Sequence, residues 1–353
     1  MIIYLILLIS IFLFFYVFKN KDKALVMSFI FITVIAALRK YTVGADTFQF
    51  YRDFLNIVKD SSWNYTNFRY EAGFYYLCKV LGLLSRDAQI LIVVTSVFIN
   101  FSVYKFIKKN SSDLFLSTIL YIITLVFFSN MNIMRQALAL AILLFAFELL
   151  KEKKYVKYVI VVLIASLFHT VAFASLLLLV FAMLPNRKLV YFIEILAAIL
   201  SFVFYKQLFN VLTFGLGYSG YATSQYGVSN YLGAILSALE TFTIVVALFL
   251  ISYSKKAKDN SNKMKLLTIA TILYTWFGFL VIRMNIFNRI SGLFGVYNIV
   301  LIPCLLEKMK DNNKNNYVIM KNSTVVVYLT SFFIISVLRP EWHGVIPYQF
   351  FWQ

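Results

Sequence analysis

What most constrains this chain is a series of apolar runs, each of a length to cross or nearly cross a lipid bilayer, separated by short lysine-rich loops. Roughly 20 apolar residues of helix cross a hydrocarbon layer of about 30 Å. Such runs stand at about 1–18, 24–38, 88–107, 114–129, 132–150, 189–208, 231–253, 266–282, 290–306 and 323–338. A water-soluble core cannot absorb them: 61% of the 353 residues are hydrophobic and 14% charged, against roughly 45–50% and 25% in soluble domains. The expected fold is all-α, a polytopic integral membrane protein of about 10 full transmembrane helices in a single transmembrane domain over residues 1–353. The first run, Met1–Phe18, lacks the basic start and small-residue cleavage site of a signal peptide and reads as a retained helix.

Two segments depart from that pattern. Residues 71–84, EAGFYYLCKVLGLL, are short and open on a glutamate, which suits a segment that dips into the outer interface without crossing. Residues 157–184 are long for one helix, short for two, and interrupted by Phe168-His169-Thr170. A broken or re-entrant pair of half-helices meeting near His169 is the expected solution. Five lysine-rich loops, at 19–23, 105–109, 151–157, 254–265 and 307–316, share the cytoplasmic side under the positive-inside rule only if both irregular readings hold. Outer loops then fall at 39–70 and 209–230, with an outer tail at 339–353.

The net charge of +18 is read as this loop bias, and no nucleic-acid partner is expected. Sorted by side, the cytoplasmic face takes 20 Lys and the single Arg187, while the outer face takes 12 basic residues, eight of them Arg. Positive-inside bias gives no reason to concentrate arginine outside. A planar guanidinium fork grips phosphate or carboxylate with two hydrogen bonds where lysine offers a point charge. An outer anion site is one explanation; anchoring to membrane lipid headgroups and internal salt bridges is the other. Cys78 and Cys304 match no metal-ligand spacing, so neither a disulfide nor a metal site is expected.

The candidate residues lie on the same face. Arg39 ends a helix and leads into KYTVGADTFQFYRDF, where Gly44 permits a tight turn and Asp46, Tyr51 and Asp53 supply polar groups; a solvated loop is the plain alternative. Glu71 is a candidate base or a helix-terminus dipole partner. In SNMNIMRQALALA, Arg135 and Gln136 open an apolar helix with Asn130 and Asn132 a turn away, and an ionisable group at that depth is a functional candidate unless it snorkels. His169 stands in the helix break, as base, substrate contact or structural hydrogen-bonder. Arg283 and Arg289, six residues apart across a short outer turn, are positioned to share one anion. Tyr218, Tyr221 and Tyr226, in a glycine- and serine-rich outer loop, are candidates for stacking on sugar rings. Glu194 and Glu240 lie inside spans and suit a proton relay or helix pairing.

No phosphate-binding P-loop, GxSxG elbow or HExxH pair is present in the sequence, so nothing points to nucleotide or metallohydrolase chemistry. The order GADTFQFY, YEAGF, NIMRQALALA, LFHTVAF, NRISGLFGVY resembles the Wzy/EpsG-type polymerases of bacterial exopolysaccharide, capsule and O-antigen repeat units, over about residues 39–297. The resemblance implies a membrane glycosyltransferase in the bacterial cytoplasmic membrane, with its active site outside, joining oligosaccharide repeats carried on undecaprenyl pyrophosphate. It implies no cofactor, and partners in a lipid-linked-sugar flippase and a chain-length regulator. Arg135, Gln136, Arg283, Arg289 and Arg39 would meet the pyrophosphate, with Tyr51 and the three loop tyrosines as sugar contacts. Asp46, Glu71 and His169, in that order, are the candidate bases. An O-antigen ligase, a flippase or secondary transporter using Glu194 or Glu240, and a membrane acyltransferase using His169 are the alternatives.

Overall fold

The computed structural model describes residues 1–184, 187–216, 230–252, 261–312 and 314–353. Among them regular structure is helical, apart from one isolated bridge between Arg39 and Phe350. The chain forms two compact units. One comprises Met1–Phe147, Ile160–Ala172 and Ser323–Gln353; the other comprises Glu148–Val159 and Phe173–Asn322.

The first unit begins with α1 (Ile2–Val17) and α2 (Lys21–Ala37). Asn20 starts α2 by accepting hydrogen bonds from the amides of Asp22 and Lys23, which satisfies donors that a helix start leaves unpaired. Next come α3 (Thr47–Lys59) and α4 (Ala72–Leu84). Both are amphipathic: Phe50, Phe54 and Ile57 of α3 and Phe74, Tyr75, Cys78 and Leu81 of α4 recur at helical spacing and bury one shared cluster. Their floor is Leu91, Ile92 and Ile99 of α5 (Gln89–Asn110) together with Met134, Leu138 and Ala141. The 13 residues of α4 reach about 20 Å, short of a full crossing, as the sequence leads one to expect of 71–84.

The run at 114–129 is not one straight helix. Asp113 caps α6 (Leu114–Ile123) at the amide of Leu116, and α7 (Val126–Asn132) follows at an angle of 53°. Leu125 takes a left-handed backbone conformation, φ 65°, so the hydrogen-bond ladder ends there. α8 (Met134–Lys151) then starts the next apolar run. α9 (Tyr155–Ser166) stops before His169, and a 3₁₀ turn at Thr170–Ala174 leads into α10 (Ser175–Met183). The interruption at Phe168-His169-Thr170 therefore breaks the helix as its sequence anticipates.

The second unit continues with α11 (Arg187–Val203), α12 (Tyr205–Leu216), α13 (Tyr231–Ser252), α14 (Asn262–Leu280), α15 (Phe287–Gly295) and α16 (Asn298–Asn312). Ser261 caps α14 through the amide of Met264, and α14 packs against α10, α11, α13, α15 and α16. α17 (Lys314–Leu338) ends the helical order.

By length and composition, α5, α13 and α17 qualify as membrane spans, and the number rises to six if the bent pairs α6–α7, α11–α12 and α15–α16 each count once. Among the described residues that is fewer than the ten apolar runs: α1 and α2, of 16 and 17 residues, fall short of a full span, and hydropathy does not register bends such as the 96° turn after Val203 and the 44° turn after Gly295. Apolar side chains such as Ile2, Leu13, Phe192, Phe242 and Leu338 are exposed on the helices. A chain whose solvent is lipid presents such a surface.

Candidate functional site

Four of the sequence motifs meet in the first unit. The turn that opens GADT depends on Gly44, whose φ of 104° excludes most side chains and whose added Cβ would collide with Thr47 Oγ1. Its fold is fixed by the junction between α7 and α8. The Met131 carbonyl accepts from Arg39 Nη2 at 3.0 Å and Thr47 Oγ1 at 3.4 Å, while Asn132 Oδ1 accepts from the Asp46 amide at 2.8 Å. Asn132 is thus the receptor of the loop, a role its sequence context did not mark. Asp46 itself is half-buried.

The YEAGF segment docks on the helix break. The amide of Gly73 donates to the Leu167 carbonyl at 2.8 Å, and that of Phe74 to the same oxygen at 3.3 Å. A Cβ on Gly73 would stand 2.7 Å from that oxygen, so only glycine permits the approach. Docking brings Glu71 to two partners at once. Its Oε1 accepts from the Thr170 amide at 3.2 Å and its Oε2 pairs with Arg135 Nη1. Arg135 lies in the first turn of α8, where the helix dipole opposes a cation, and Glu71 offsets that penalty. The pair is mostly but not wholly enclosed, with side chains 17% and 19% exposed.

The network continues outward. The Arg135 guanidinium lies 4.7 Å from the Tyr70 ring centroid, within cation–π range, and 5.9 Å from that of Phe50. The Tyr70 hydroxyl donates to Asp53, which also accepts from Gln49 Nε2 at 2.7 Å and faces Arg69 at 3.4 Å. Burial, reinforced by the hydrogen bond to Asp53, pushes the Tyr70 phenol up, so it remains a donor at neutral pH. Asp53, Tyr70, Arg135, Glu71 and the Thr170 amide form one polar line in which two carboxylates flank a guanidinium. Tyr70 is the member the sequence reading did not single out, and Asp53 was marked there only as a polar loop residue. Tyr70 immediately precedes Glu71 in RYEAGF, and that adjacency was the available signal.

His169 is buried, and its Nδ1 accepts from the Val171 amide at 3.1 Å, so a neutral ring carries its proton on Nε2. It sits one residue from the amide that Glu71 accepts. Gln136 is buried beside Arg135 and is engaged within the protein. Tyr51 is half-buried against Tyr41, ring centroids 4.8 Å apart, and its phenol is raised by burial and by Asp87. Arg39 is placed otherwise than an outward anion grip would need: it is 2% exposed and donates to the Ala36 carbonyl, to Ser96 Oγ at 2.8 Å and to Met131. Burial lowers its pKa to about 10, which still leaves it charged at neutral pH.

The tail is tied to the same loop. Gly344 and His343 carbonyls accept from the Gly44 and Ala45 amides at 2.7 and 3.0 Å, and Gln349 and Leu38 carbonyls accept from Lys40 and Phe351 at 2.9 Å. Backbone groups at a loop surface require partners, and the loop and tail supply each other's.

In the second unit, Arg283 lies between α14 and α15 with its guanidinium 4.4 Å from the Phe202 ring centroid and 5.3 Å from that of Tyr205. Arg289 is in the first turn of α15 and makes contacts within the protein. Arg135 thus has a protein carboxylate as its partner, and that partner, Glu71, arrives from 64 residues away in the chain. Glu240 accepts from Asn298 Nδ2 at 2.8 Å, and Asn298 in turn accepts from Thr271 at 2.7 Å. Glu194 is buried with no hydrogen bond to either carboxylate oxygen among the described residues. Tyr218, Tyr221 and Tyr226 lie outside the described residues.

With the motif order now joined by the contacts among the motifs, comparison with known families decides the membership: the pattern of the EpsG family matches residues 22–350. The chain belongs to the EpsG family. No curated protein and no solved structure gives a significant match. The EpsG match ties this membrane protein to exopolysaccharide biosynthesis and spans every element of the polar line, the helix break and nearly all of the tail.

Proposed function

We propose that this EpsG-family protein is a polysaccharide polymerase, joining undecaprenyl-pyrophosphate-linked oligosaccharide repeats at the outer face of the cytoplasmic membrane. The acceptor sugar hydroxyl attacks the anomeric carbon of the donor glycan. The bond to the pyrophosphate breaks, the lipid pyrophosphate leaves with the bonding electrons, and the hydroxyl proton passes to a base. The donor is already activated, so the step as written requires no nucleotide.

The observation that carries the reading is the Glu71–Arg135 pair beside the His169 break. A guanidinium is suited to charge developing on the departing pyrophosphate. When a phosphate oxygen takes the place of Glu71 on Arg135, the freed Glu71 carboxylate can accept the hydroxyl proton. Glu71, the carboxylate held directly against Arg135, thereby moves ahead of Asp46 and the inward-bonded His169. Arg283 and Arg289 are further phosphate ligands in this reading, Tyr51 and the loop tyrosines sugar contacts, and Arg39 and Gln136 internal supports.

Purified protein in lipid nanodiscs, given the lipid-linked repeat alone, should produce a ladder of longer glycans. Glu71→Gln should lower the rate by about 10²-fold or more at unchanged protein level. Absence of a ladder from well-folded protein with its own repeat unit refutes the polymerase reading. Movement of intact repeats across the bilayer would instead identify a flippase, the reading that the buried, unbonded Glu194 favours.

A further inference from the structure

Beneath the GADT loop, the first unit holds a small, partly open cavity with room for about one water-sized particle. Arg39, Ser96, Asn100, Tyr121 and Asn130 are among the residues lining it. The polar groups there are ordered by one another: Tyr121 donates to Asn100 Oδ1 at 2.9 Å, Asn130 Nδ2 donates to the Tyr121 oxygen at 3.2 Å, and Asn100 Nδ2 donates to the Ser96 carbonyl at 2.9 Å. Three donor hydrogens are left over. Arg39 Nε is buried with no partner; Ser96 Oγ accepts from Arg39, which leaves its own hydrogen to give; and Asn130 has a second amide hydrogen.

The charges do not balance. Arg39 donates to two carbonyls and a hydroxyl, all neutral, and no carboxylate pairs with it. The phenols of Tyr4 and Tyr348 lie near enough to feel its charge, but they donate to the carbonyls of Val345 and Ile35 and stay neutral. A buried cation without an anion is among the costliest arrangements a protein can hold.

We infer that this cavity binds one small inorganic anion of halide size on Arg39 Nε, Ser96 Oγ and Asn130 Nδ2. Phosphate and pyrophosphate are too large for it, so this site is separate from the proposed donor site at Arg135 and does not depend on the polymerase reading. Its role is to complete the charge balance under the Met131 junction, on which the Gly44 turn and the start of α8 both rest.

The test is thermal unfolding of the full-length protein in neutral-lipid nanodiscs at fixed ionic strength, with sodium gluconate replaced stepwise by chloride or bromide. Halide should raise the apparent Tm saturably, by about 2–5 °C when well above its dissociation constant. Arg39→Gln should abolish the response. Ser96→Ala, which removes one small donor and carries the test if Arg39→Gln does not fold, should weaken the apparent affinity about 10-fold. Arg135→Ala should respond to halide as the wild type does. Equal melting in gluconate and chloride would show that the cavity holds water, and an undiminished response in Ser96→Ala would show that the anion is not on Ser96; both overturn the proposal. Loss of the response in Arg135→Ala would place the anion elsewhere and overturn it as well.

Discussion

Arg135 in the first unit and Arg283 in the second are held in opposite ways. In the first, Arg135 has a carboxylate on one side and an aromatic face on the other, and Asp53 and Glu71 are each held by at least two donors. In the second, Arg283 rests on the rings of Phe202 and Tyr205, while Glu240 and Glu194 sit within helices, one hydrogen-bonded and one without a hydrogen bond among the described residues. A ring leaves a guanidinium edge available to a ligand, whereas a carboxylate competes for it. In the proposed reaction the Arg135 site therefore exchanges one anion for another and passes on a proton. The Arg283 site holds its arginine without neutralising it.

The comparison is broken most severely at Glu71 and Arg135. Arg135→Ala should cut polymer formation by about 10²–10³-fold, with Arg135→Lys recovering little because it keeps the charge and loses the fork. A double-mutant cycle sharpens the point. If the pair served only folding, Glu71→Gln with Arg135→Gln would restore both abundance and activity, since neither charge is then left alone. Restored abundance with activity still absent is the expected result, measured by membrane blot and glycan ladder.

Gly73→Ala comes next. Its methyl group would meet the Leu167 carbonyl and push α4 off the helix break, carrying Glu71 away from Thr170. A loss of about 1–3 kcal/mol should appear as a Tm lowered by several degrees, together with reduced activity. An unchanged Tm and rate would mean that α4 and the break can separate without consequence.

The smallest effect belongs to the second unit. Arg283→Lys keeps a cation over the two rings but loses planar stacking, for about a 2–5-fold fall in rate. A fall as deep as that of Arg135→Lys would show that Arg283 grips its anion as closely as Arg135 does, and the contrast between the units would lapse.

The helical class was legible because the spacing and length of apolar runs are local properties, and a chain with this composition must satisfy its backbone hydrogen bonds within helices when its solvent is lipid. The break at His169, the short α4 and the turn at Gly44 were legible for the same reason, since each is written in a few adjacent residues. The bends after Leu125 and Val203 were not, because an apolar run carries no mark of a changed direction. Pairing lay further from reach. Glu71 and Arg135 stand 64 positions apart, Asp46 and Asn132 86, and Tyr4 and Val345 341. Sequence determined which groups carry charge. Only the tertiary structure decided that Arg135 faces a carboxylate, that Arg39 turns inward to carbonyls and that the tail closes on the GADT loop. Such contacts depend on where distant helices end, and Coulomb forces and hydrogen bonds act across that space without leaving a local trace in the chain.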